Sequence, residues 1–148
     1  MNDSIVYLKS IAGIIPAQLK GFCEGWQNPP APRDLLKIIE GSAHYFLAYD
    51  RATRRVVGLV TCISDGIFSA YIPLLEVLPE YQRKGIGTEL MRRILHITTN
   101  YYMFDVSCDE SIVPFYEKLG MNKSAAMIRR NYGWQSAQPH PSHTSRRI

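Results

Sequence analysis

The chain has 148 residues, of which 46% are hydrophobic and 20% charged, and its formal net charge at pH 7 is +4. These proportions are typical of a single globular domain and exclude a chain that is mainly disordered. No apolar run approaches the roughly 20 residues that a membrane-spanning helix needs, and the N-terminus lacks the basic start and apolar region of a secretory signal. We therefore expect no membrane partner.

The first half of the chain predicts a strand, two helices and a pair of strands, by apolar spacing and by β-branched and aromatic content. In chain order these elements are residues 4–11, 16–26, 33–40, 44–50 and 54–64. The Asp65–Gly66 pair then predicts a tight turn of type I′, because glycine and aspartate tolerate the positive φ angles of that turn. A further strand should return from it.

The second half predicts three strands that alternate with two helices. The strands are residues 67–78, 101–108 and 124–132, and the helices are residues 86–97 and 111–120. Pro73 cannot donate to a strand ladder, so the first of these strands should bulge or lose a partner there. Because a helix joins the first strand to the second, the two should be parallel if they pair.

Two cations, Arg83 and Lys84, lie where the helix 86–97 begins. Cations are unfavourable there, since a helix N-terminus carries partial positive charge. Gly85 and Gly87 allow a tight turn and close approach of a ligand, so the amides of residues 83–88 could converge on an anion such as a phosphate. Neither a nucleoside-triphosphate P-loop nor a dinucleotide fingerprint occurs, and a tight turn with solvated cations is the alternative.

The stretch LEVLPEYQRKGIGTELM, residues 75–91, resembles the acetyl-CoA-binding motif of the GNAT N-acetyltransferase superfamily, whose core is Q/R-x-x-G-x-G/A. Residues 82–87 match this core without a departure. Downstream, DESIVPFYEKLGM is similar to the second motif of the family, with Asp109 in place of the common Asn and Met121 in place of the usual Phe. The order of predicted elements also fits the family from residue 5 to about residue 132.

The resemblance implies an α/β fold with a mixed, mostly antiparallel central sheet, flanked by helices and containing one splayed pair of parallel strands. It implies a single acetyltransferase domain over residues 1–132. The polar, Pro/Ser/His-rich composition of residues 133–148 predicts a tail that is flexible or used in self-association. The resemblance further implies acetyl-CoA as co-substrate, no metal, and direct attack of an amine on the thioester in a ternary complex. The residues that it places at the coenzyme are Leu75 and Val77, through their backbone, and Gln82, Arg83, Lys84, Gly85, Ile86, Gly87, Thr88 and Asp109.

Two residues are candidates for the chemistry. Tyr116 matches the tyrosine with which the family protonates or hydrogen-bonds the coenzyme sulfur, although residue type alone would make it a core aromatic. Glu76 interrupts an apolar strand, and partial burial would give it the raised pKa that suits a general base. It could instead pair with a cation or point to solvent. Family members that use a glutamate on this strand often carry it further upstream, where this chain has Tyr71, and a water held beside Tyr71 would serve as the alternative.

The cysteines Cys23, Cys62 and Cys108 are odd in number, widely spaced and set in apolar surroundings. They predict reduced core thiols in a cytoplasmic protein, in preference to a disulfide framework. The histidines form no ligand cluster with them, so no metal site is expected. Cys108 should be a packing residue, since no histidine pairs with it and the family needs no nucleophile.

The acceptor implied by the resemblance is a primary amine of a small molecule or peptide. It should lie against the first two helices and the loop 23–34, where Trp26, Glu24 and Asp34 offer an aromatic wall and carboxylates to a cationic amine, although each is more often a surface or packing residue. The Asp-Gly hairpin could border the same cleft.

Rival functions remain. A non-catalytic acyl-CoA-binding sensor is the main alternative. Nucleic-acid binding ranks last, because Glu80 and Glu89 interrupt the basic patch and no aromatic nucleic-acid motif accompanies it. A homodimer that involves Trp134 and the tail is an option.

Overall fold

The computed structural model describes residues 4–138. Its strands are β1 (Ile5–Leu8), β2 (His44–Asp50), β3 (Arg55–Ser64), β4 (Ser69–Val77) and β5 (Met103–Val106). Its α-helices are α1 (Pro32–Glu40), α2 (Ile86–Ile97) and α3 (Val113–Glu117), and short 3-10 helices cover Pro16–Leu19, Pro79–Tyr81, Glu110–Ile112 and Tyr132–Trp134. None of the helices between residues 4 and 138 has the length and apolar character to cross a membrane.

The five strands form one sheet in the order β1-β2-β3-β4-β5. The first three pairings are antiparallel and β4 with β5 is parallel. This agrees with the expected mixed sheet, and the parallel pair is the one that the connecting helix α2 predicts.

Helix α2 covers one face of the sheet. Its apolar residues Leu90, Met91 and Ile94 are fully buried, as the spacing of the sequence predicts. Gly58 on β3 lets the helix lie this close, because a Cβ at this position would meet Ile86 at 3.0 Å. The opposite face is covered by the 3-10 helix Pro16–Leu19 and the chain that follows it, including the buried Phe22.

The β3–β4 hairpin forms as expected, but its turn is not the predicted type I′. The loop is longer than two residues, and Gly66 is its only residue with a positive φ, +79°. The Asp65 carboxylate organises the loop by accepting the amides of Ile67, Phe68 and Ser69 at 2.9, 2.8 and 3.1 Å. A side chain therefore supplies the hydrogen bonds that a tighter turn would make through its backbone.

The predicted helix over residues 16–26 is wrong. Only the 3-10 helix Pro16–Leu19 forms, and Gly21 and Cys23 then adopt positive φ angles of 100° and 60°. These left-handed conformations end a right-handed helix. The apolar spacing is nevertheless used, since Leu19, Phe22 and Cys23 are all buried.

The predicted last strand over residues 124–132 is also wrong. The chain from residue 121 to 131 has no regular structure, and Met127 is fully exposed. A strand needs a partner edge, and both ends of this segment are held elsewhere. The Met121 amide donates to the Tyr116 carbonyl at 3.2 Å, and the Tyr132 carbonyl accepts from the Asn28 side chain at 3.3 Å. Most of the predicted tail, residues 139–148, lies outside the described residues.

Candidate active site

The parallel strands β4 and β5 separate halfway along β4. They pair only from Ser69 with Met103 to Ile72 with Val106, whereas β4 continues to Val77. The register of β4 with β3 shifts at the same place, since Ile63 pairs with Tyr71 but Thr61 pairs with Leu74. Strand β4 thus contains one extra residue next to Pro73, which is the bulge that this proline predicts.

The bulge determines which backbone groups of β4 face the gap between β4 and β5, called the opening below. The Leu78 amide donates to the Val57 carbonyl at 2.9 Å, so Leu78 points toward β3. Because backbone groups alternate along a strand, those of Leu74 and Glu76 also point toward β3, and those of Leu75 and Val77 point into the gap left by β5. The Val77 carbonyl accepts a hydrogen bond from the Gln82 side chain at 2.9 Å.

The loop before α2 presents a row of free amides. Within the described part of the chain, no acceptor is found for the backbone amides of residues 83–88, and the first helical bond runs from Glu89 to the Gly85 carbonyl. Gly85 has φ +82° and open space around its Cβ position, and Arg83 is also left-handed at φ +58°. Free amides and the helix dipole together favour an anion at this position.

The two cations of the loop are both exposed. The Lys84 ammonium donates to the Glu80 carbonyl at 2.8 Å and lies 5.2 Å from the centre of the Tyr81 ring. The Arg83 side chain makes no hydrogen bond or ion pair within residues 4–138. It is therefore free to meet an anionic ligand.

Asp50 and Tyr81 support this loop, and sequence reasoning missed this role for both. The Tyr81 hydroxyl donates to the buried Asp50 carboxylate at 2.8 Å. Tyr81 belongs to the 3-10 helix that leads into the loop, so the bond ties the loop to the end of β2. The two residues are 31 positions apart, and no local pattern predicts their contact.

Tyr116 lies on α3 beside the opening and is only 8% exposed. Its ring makes an edge-to-face contact with Phe115, at 5.0 Å between ring centres. Burial, with smaller contributions from Cys108 and Tyr71, raises the pKa of Tyr116 to about 12. The phenol therefore remains a hydrogen-bond donor throughout the neutral and moderately basic range.

Glu76 is bound by the loop on the face opposite α2. Both of its carboxylate oxygens accept the Cys23 backbone amide, at 2.9 and 3.0 Å, and the Cys23 thiol lies 3.5 Å from one of them. Burial, together with the Glu76 charge, raises the pKa of Cys23 to about 12, so this thiol is not a nucleophile. The contact was not foreseen in the sequence, which suggested a cation or solvent as partner.

Of the residues expected to contact the acceptor amine, Asp34 is already bound by other side chains and Trp26 is exposed. Asp34 is 3% exposed and is bound by Arg33, Lys37 and Gln138, so it cannot receive an acceptor amine without losing these partners. Trp26 is 40% exposed, in keeping with a surface role.

Cys108 and Asp109, which follow β5, are both exposed. Cys108 is exposed, not a core thiol as the sequence predicted, although Cys23 and Cys62 are buried as expected. Asp109 is exposed, and its carbonyl caps the following turn by accepting the Ile112 amide at 2.9 Å.

Comparison with known proteins gives a consistent result. The family model described as acetyltransferase (GNAT) family matches residues 12–121. A solved structure of a candidate acetyltransferase from Deinococcus radiodurans R1 is 44% identical and superposes with a TM-score of 0.89, over 94% of this chain and 96% of that one. An uncharacterized N-acetyltransferase of Porphyra purpurea is 24% identical over 123 residues, which cover 80% of this chain and 71% of that protein.

A second curated relative is longer than this chain. GCN5-related N-acetyltransferase 2, chloroplastic, of Arabidopsis thaliana is 28% identical over 78 residues, which are 51% of this chain. The match spans only 30% of that relative's length.

Proposed function

The chain belongs to the acetyltransferase (GNAT) family, and we propose that it is an acetyl-CoA-dependent N-acetyltransferase that acts on a primary amine of a small molecule or peptide. The observation that carries the proposal is the row of free amides at residues 83–88, placed next to the gap between β4 and β5. Family members use acetyl-CoA as co-substrate and act on amine acceptors.

The residues present fit the coenzyme at both of its anchoring points. The amides of residues 83–88, Arg83 and Lys84 would hold the pyrophosphate, and the open space at Gly85 leaves room for it. The backbone of Leu75 and Val77 would pair with the pantetheine arm in place of the missing strand. Gln82 now occupies the Val77 carbonyl, so it would have to release this acceptor to the arm.

Acetyl-CoA supplies an acetyl group activated as a thioester. The acceptor amine attacks the thioester carbonyl, a C–N bond forms, and the C–S bond breaks. The departing thiolate is stabilised by a hydrogen bond from Tyr116. With a pKa of about 12, this phenol is a much weaker acid than an ordinary thiol of pKa about 8.5. Hydrogen bonding is therefore favoured over full proton transfer, and the proton lost by the amine reaches the sulfur through solvent.

The base that receives this proton is proposed to be Glu76 or a water beside Tyr71. The Cys23 amide is shared between both oxygens of the Glu76 carboxylate and keeps it in a fixed position. In favour of the water, Tyr71 lies close enough to Tyr116 to contribute to its raised pKa.

The experiment that tests the proposal mixes the protein with acetyl-CoA and a panel of primary amines and measures release of free thiol. We expect release that depends on both substrates. Absence of release with every amine, together with thermal stabilisation by acetyl-CoA, would instead establish the acyl-CoA-binding sensor. The specific observation that favours this second candidate is that both oxygens of Glu76 are already bound.

We further propose that residues 1–132 form a single catalytic domain and that the protein acts in the cytoplasm as a homodimer. The free thiols of Cys23, Cys62 and Cys108 support a reducing compartment. The exposed apolar side chains of Met127, Ile128 and Trp134 support self-association.

A further inference from the structure

The last residues that the structure describes, 132–138, are bound to the loop that leads into α1, residues 20–31. We call these two segments the clasp and the connecting loop. The Gln135 side chain of the clasp accepts the Asn28 amide at 2.9 Å, and the Tyr132 carbonyl accepts the Asn28 side-chain amide at 3.3 Å. These bonds join residues 107 and 104 positions apart, so the tertiary fold brings the two segments together.

The clasp makes a further hydrogen bond just inside α1. The Gln138 side chain donates to the Asp34 carboxylate at 3.2 Å, which is closer than Arg33 at 3.6 Å and Lys37 at 3.4 Å. Burial alone would raise the pKa of Asp34, but hydrogen bonds from Lys37 and Gln138 lower it below its usual range, so the carboxylate keeps its charge. A buried charge is costly unless it is hydrogen-bonded, so Asp34 favours the bound clasp.

The stretch between these two contacts, residues 28–34, has little conformational freedom of its own. Three of its seven residues are prolines, at positions 29, 30 and 32. Each proline has a fixed φ angle and no amide to donate. The position of the stretch therefore depends on the contacts at its ends, and the clasp supplies one contact at each end.

Toward its beginning, the connecting loop holds the Glu76 carboxylate through the Cys23 amide, at 2.9 and 3.0 Å from the two oxygens. The Cys23 carbonyl accepts the Trp26 amide at 3.0 Å, so residues 23–26 form one turn, and Asn28 follows two residues later. Cys23 has a left-handed φ of +60°, which is uncommon outside glycine and persists only where surrounding contacts maintain it. A single turn of chain therefore links the clasp to Glu76.

Glu76 lies next to the opening. In β4 it is flanked by Leu75 and Val77, whose backbone groups point into the gap that β5 leaves. The pantetheine arm is proposed to pair with those backbone groups, which places the Glu76 carboxylate one residue away from the coenzyme contacts. A displacement of the connecting loop would therefore reach the proposed reaction site through the Cys23 amide.

We propose that the clasp positions the acceptor side of the active site. By holding both ends of the stretch 28–34 it fixes the connecting loop, and the Cys23 amide of that loop fixes the Glu76 carboxylate. Gln135 is the main positioning residue, because its partner Asn28 is only five positions from Cys23. This inference rests on the proposed function and adds the C-terminal segment to its acceptor side.

Hydrogen exchange of single amides, followed by NMR, tests the clasp without any substrate. Gln135→Met keeps the length of the side chain and removes the acceptor of the Asn28 amide. We expect the Asn28 amide to exchange about fivefold faster, as for the loss of one ordinary hydrogen bond, and the Cys23 amide to exchange faster as well. Gln135→Glu keeps an oxygen acceptor and should restore both rates.

Tyr45→Phe is a matched control for this experiment. It also removes a side-chain acceptor of a distant amide, since the Tyr45 hydroxyl accepts the Ile11 amide at 3.2 Å, but neither residue belongs to the connecting loop. Exchange at Cys23 should stay unchanged in this variant. Faster exchange at Asn28 with unchanged exchange at Cys23 in Gln135→Met would overturn the proposal, because the clasp would then fix only its own contact.

Thiol release tests the consequence for the acceptor. A loop that is ordered for only a fraction of the time lowers the apparent affinity for its ligand by that fraction. In Gln135→Met we therefore expect the KM of the amine to rise about fivefold, while kcat and the KM of acetyl-CoA stay the same, and Gln135→Glu should reverse the rise. Loss of folded protein would instead lower kcat and leave both KM values unchanged.

The two measurements separate this inference from the proposed function. An unchanged KM of the amine in active Gln135→Met would overturn the positioning role while the acetyltransferase activity stands. If exchange at Cys23 responds to Gln135 as expected but no amine gives thiol release with the wild-type protein, the proposed activity fails and the clasp remains as a device that holds the connecting loop.

Discussion

Tyr116 shows how burial changes the role available to a side chain. Tyr116→Phe removes only the hydroxyl, and the ring keeps its contact with Phe115. Loss of one hydrogen bond to a developing thiolate should lower kcat about 10- to 100-fold, while the dissociation constant of acetyl-CoA stays the same. Steady-state kinetics and calorimetry measure the two quantities.

The pH profile provides a second check on Tyr116. Because its pKa is raised to about 12, the hydroxyl should keep its proton and cause no fall in rate between about pH 7 and pH 10. Tyr45→Phe is the matched control, since that hydroxyl accepts the Ile11 amide away from the cleft. An equal loss of kcat in both variants would assign the effect of Tyr116 to folding.

Asp50 is a residue whose effect should appear in the pH dependence of stability. Hydrogen bonds from Ser4, then Tyr81, Ala52 and Thr53, lower its pKa to about 2 against the opposing effect of burial. The folded pKa lies below the unfolded one, so its contribution is complete above about pH 4 and is lost as the pH falls toward 2.

We expect Asp50→Asn to lower the free energy of unfolding by about 1–2 kcal/mol at neutral pH, because hydrogen bonds to a charged acceptor become neutral ones. The difference in the free energy of unfolding between wild type and Asp50→Asn should vanish as the pH falls to about 2. Denaturant titrations at a series of pH values test this. A difference that is constant with pH would show that ionisation of Asp50 does not contribute.

The loop before α2 is the element that carries the proposed coenzyme site. Gly85→Asp places a carboxylate beside the free amides and should abolish binding of acetyl-CoA, since it supplies a competing anion on the protein itself. It also strains the backbone by roughly 1–2 kcal/mol, because Gly85 is left-handed.

Gly13→Asp is a close control for this variant. Gly13 has the same φ of +82° and the same open surroundings, so the strain and the added charge are matched. We expect both variants to show a similar fall in melting temperature and only Gly85→Asp to lose acetyl-CoA binding by calorimetry. Retained binding in Gly85→Asp would mean that the loop is only a turn.

Structural features that depend only on neighbouring residues could be predicted from the sequence. The apolar spacing of α2 and the bulge at Pro73 follow from neighbouring residues, and both are observed. The helix predicted over residues 16–26 failed because Cys23 is left-handed. Its amide binds Glu76, which lies 53 positions away. Such contacts between distant residues decide local conformation but leave no periodic pattern.

The residues of the candidate site also fall into two groups, those that a local sequence pattern indicates and those that only the structure brings together. The glycines and cations at residues 82–87 form a contiguous motif, so a single stretch of sequence indicates the proposed coenzyme contacts. The contact between Asp50 and Tyr81, which supports the loop, joins residues 31 positions apart, and no local pattern predicts it. The residues that support the loop therefore required the three-dimensional structure, whereas the loop motif itself did not.

At the scale of the whole molecule, the sheet and α2 form the cooperative core, and the segment 122–131 lies outside it. Within the described residues, none of the amides of this segment donates a hydrogen bond to the backbone. In hydrogen–deuterium exchange at low protein concentration, we expect these amides to exchange within seconds and the amides of the central strand β3 to exchange most slowly.

The same measurement at high concentration tests the proposed homodimer. The segment has strand-forming composition, and β5, which carries the exposed Met103 and Asp105, is an edge strand of the sheet. If the segment 122–131 of one copy pairs with an edge strand of the other, the protection of its amides from exchange should rise with protein concentration. A strand gains its backbone hydrogen bonds only from a partner edge. Slow exchange at every concentration would show that the segment forms a strand within one molecule. Fast exchange at every concentration would remove this segment from any dimer interface.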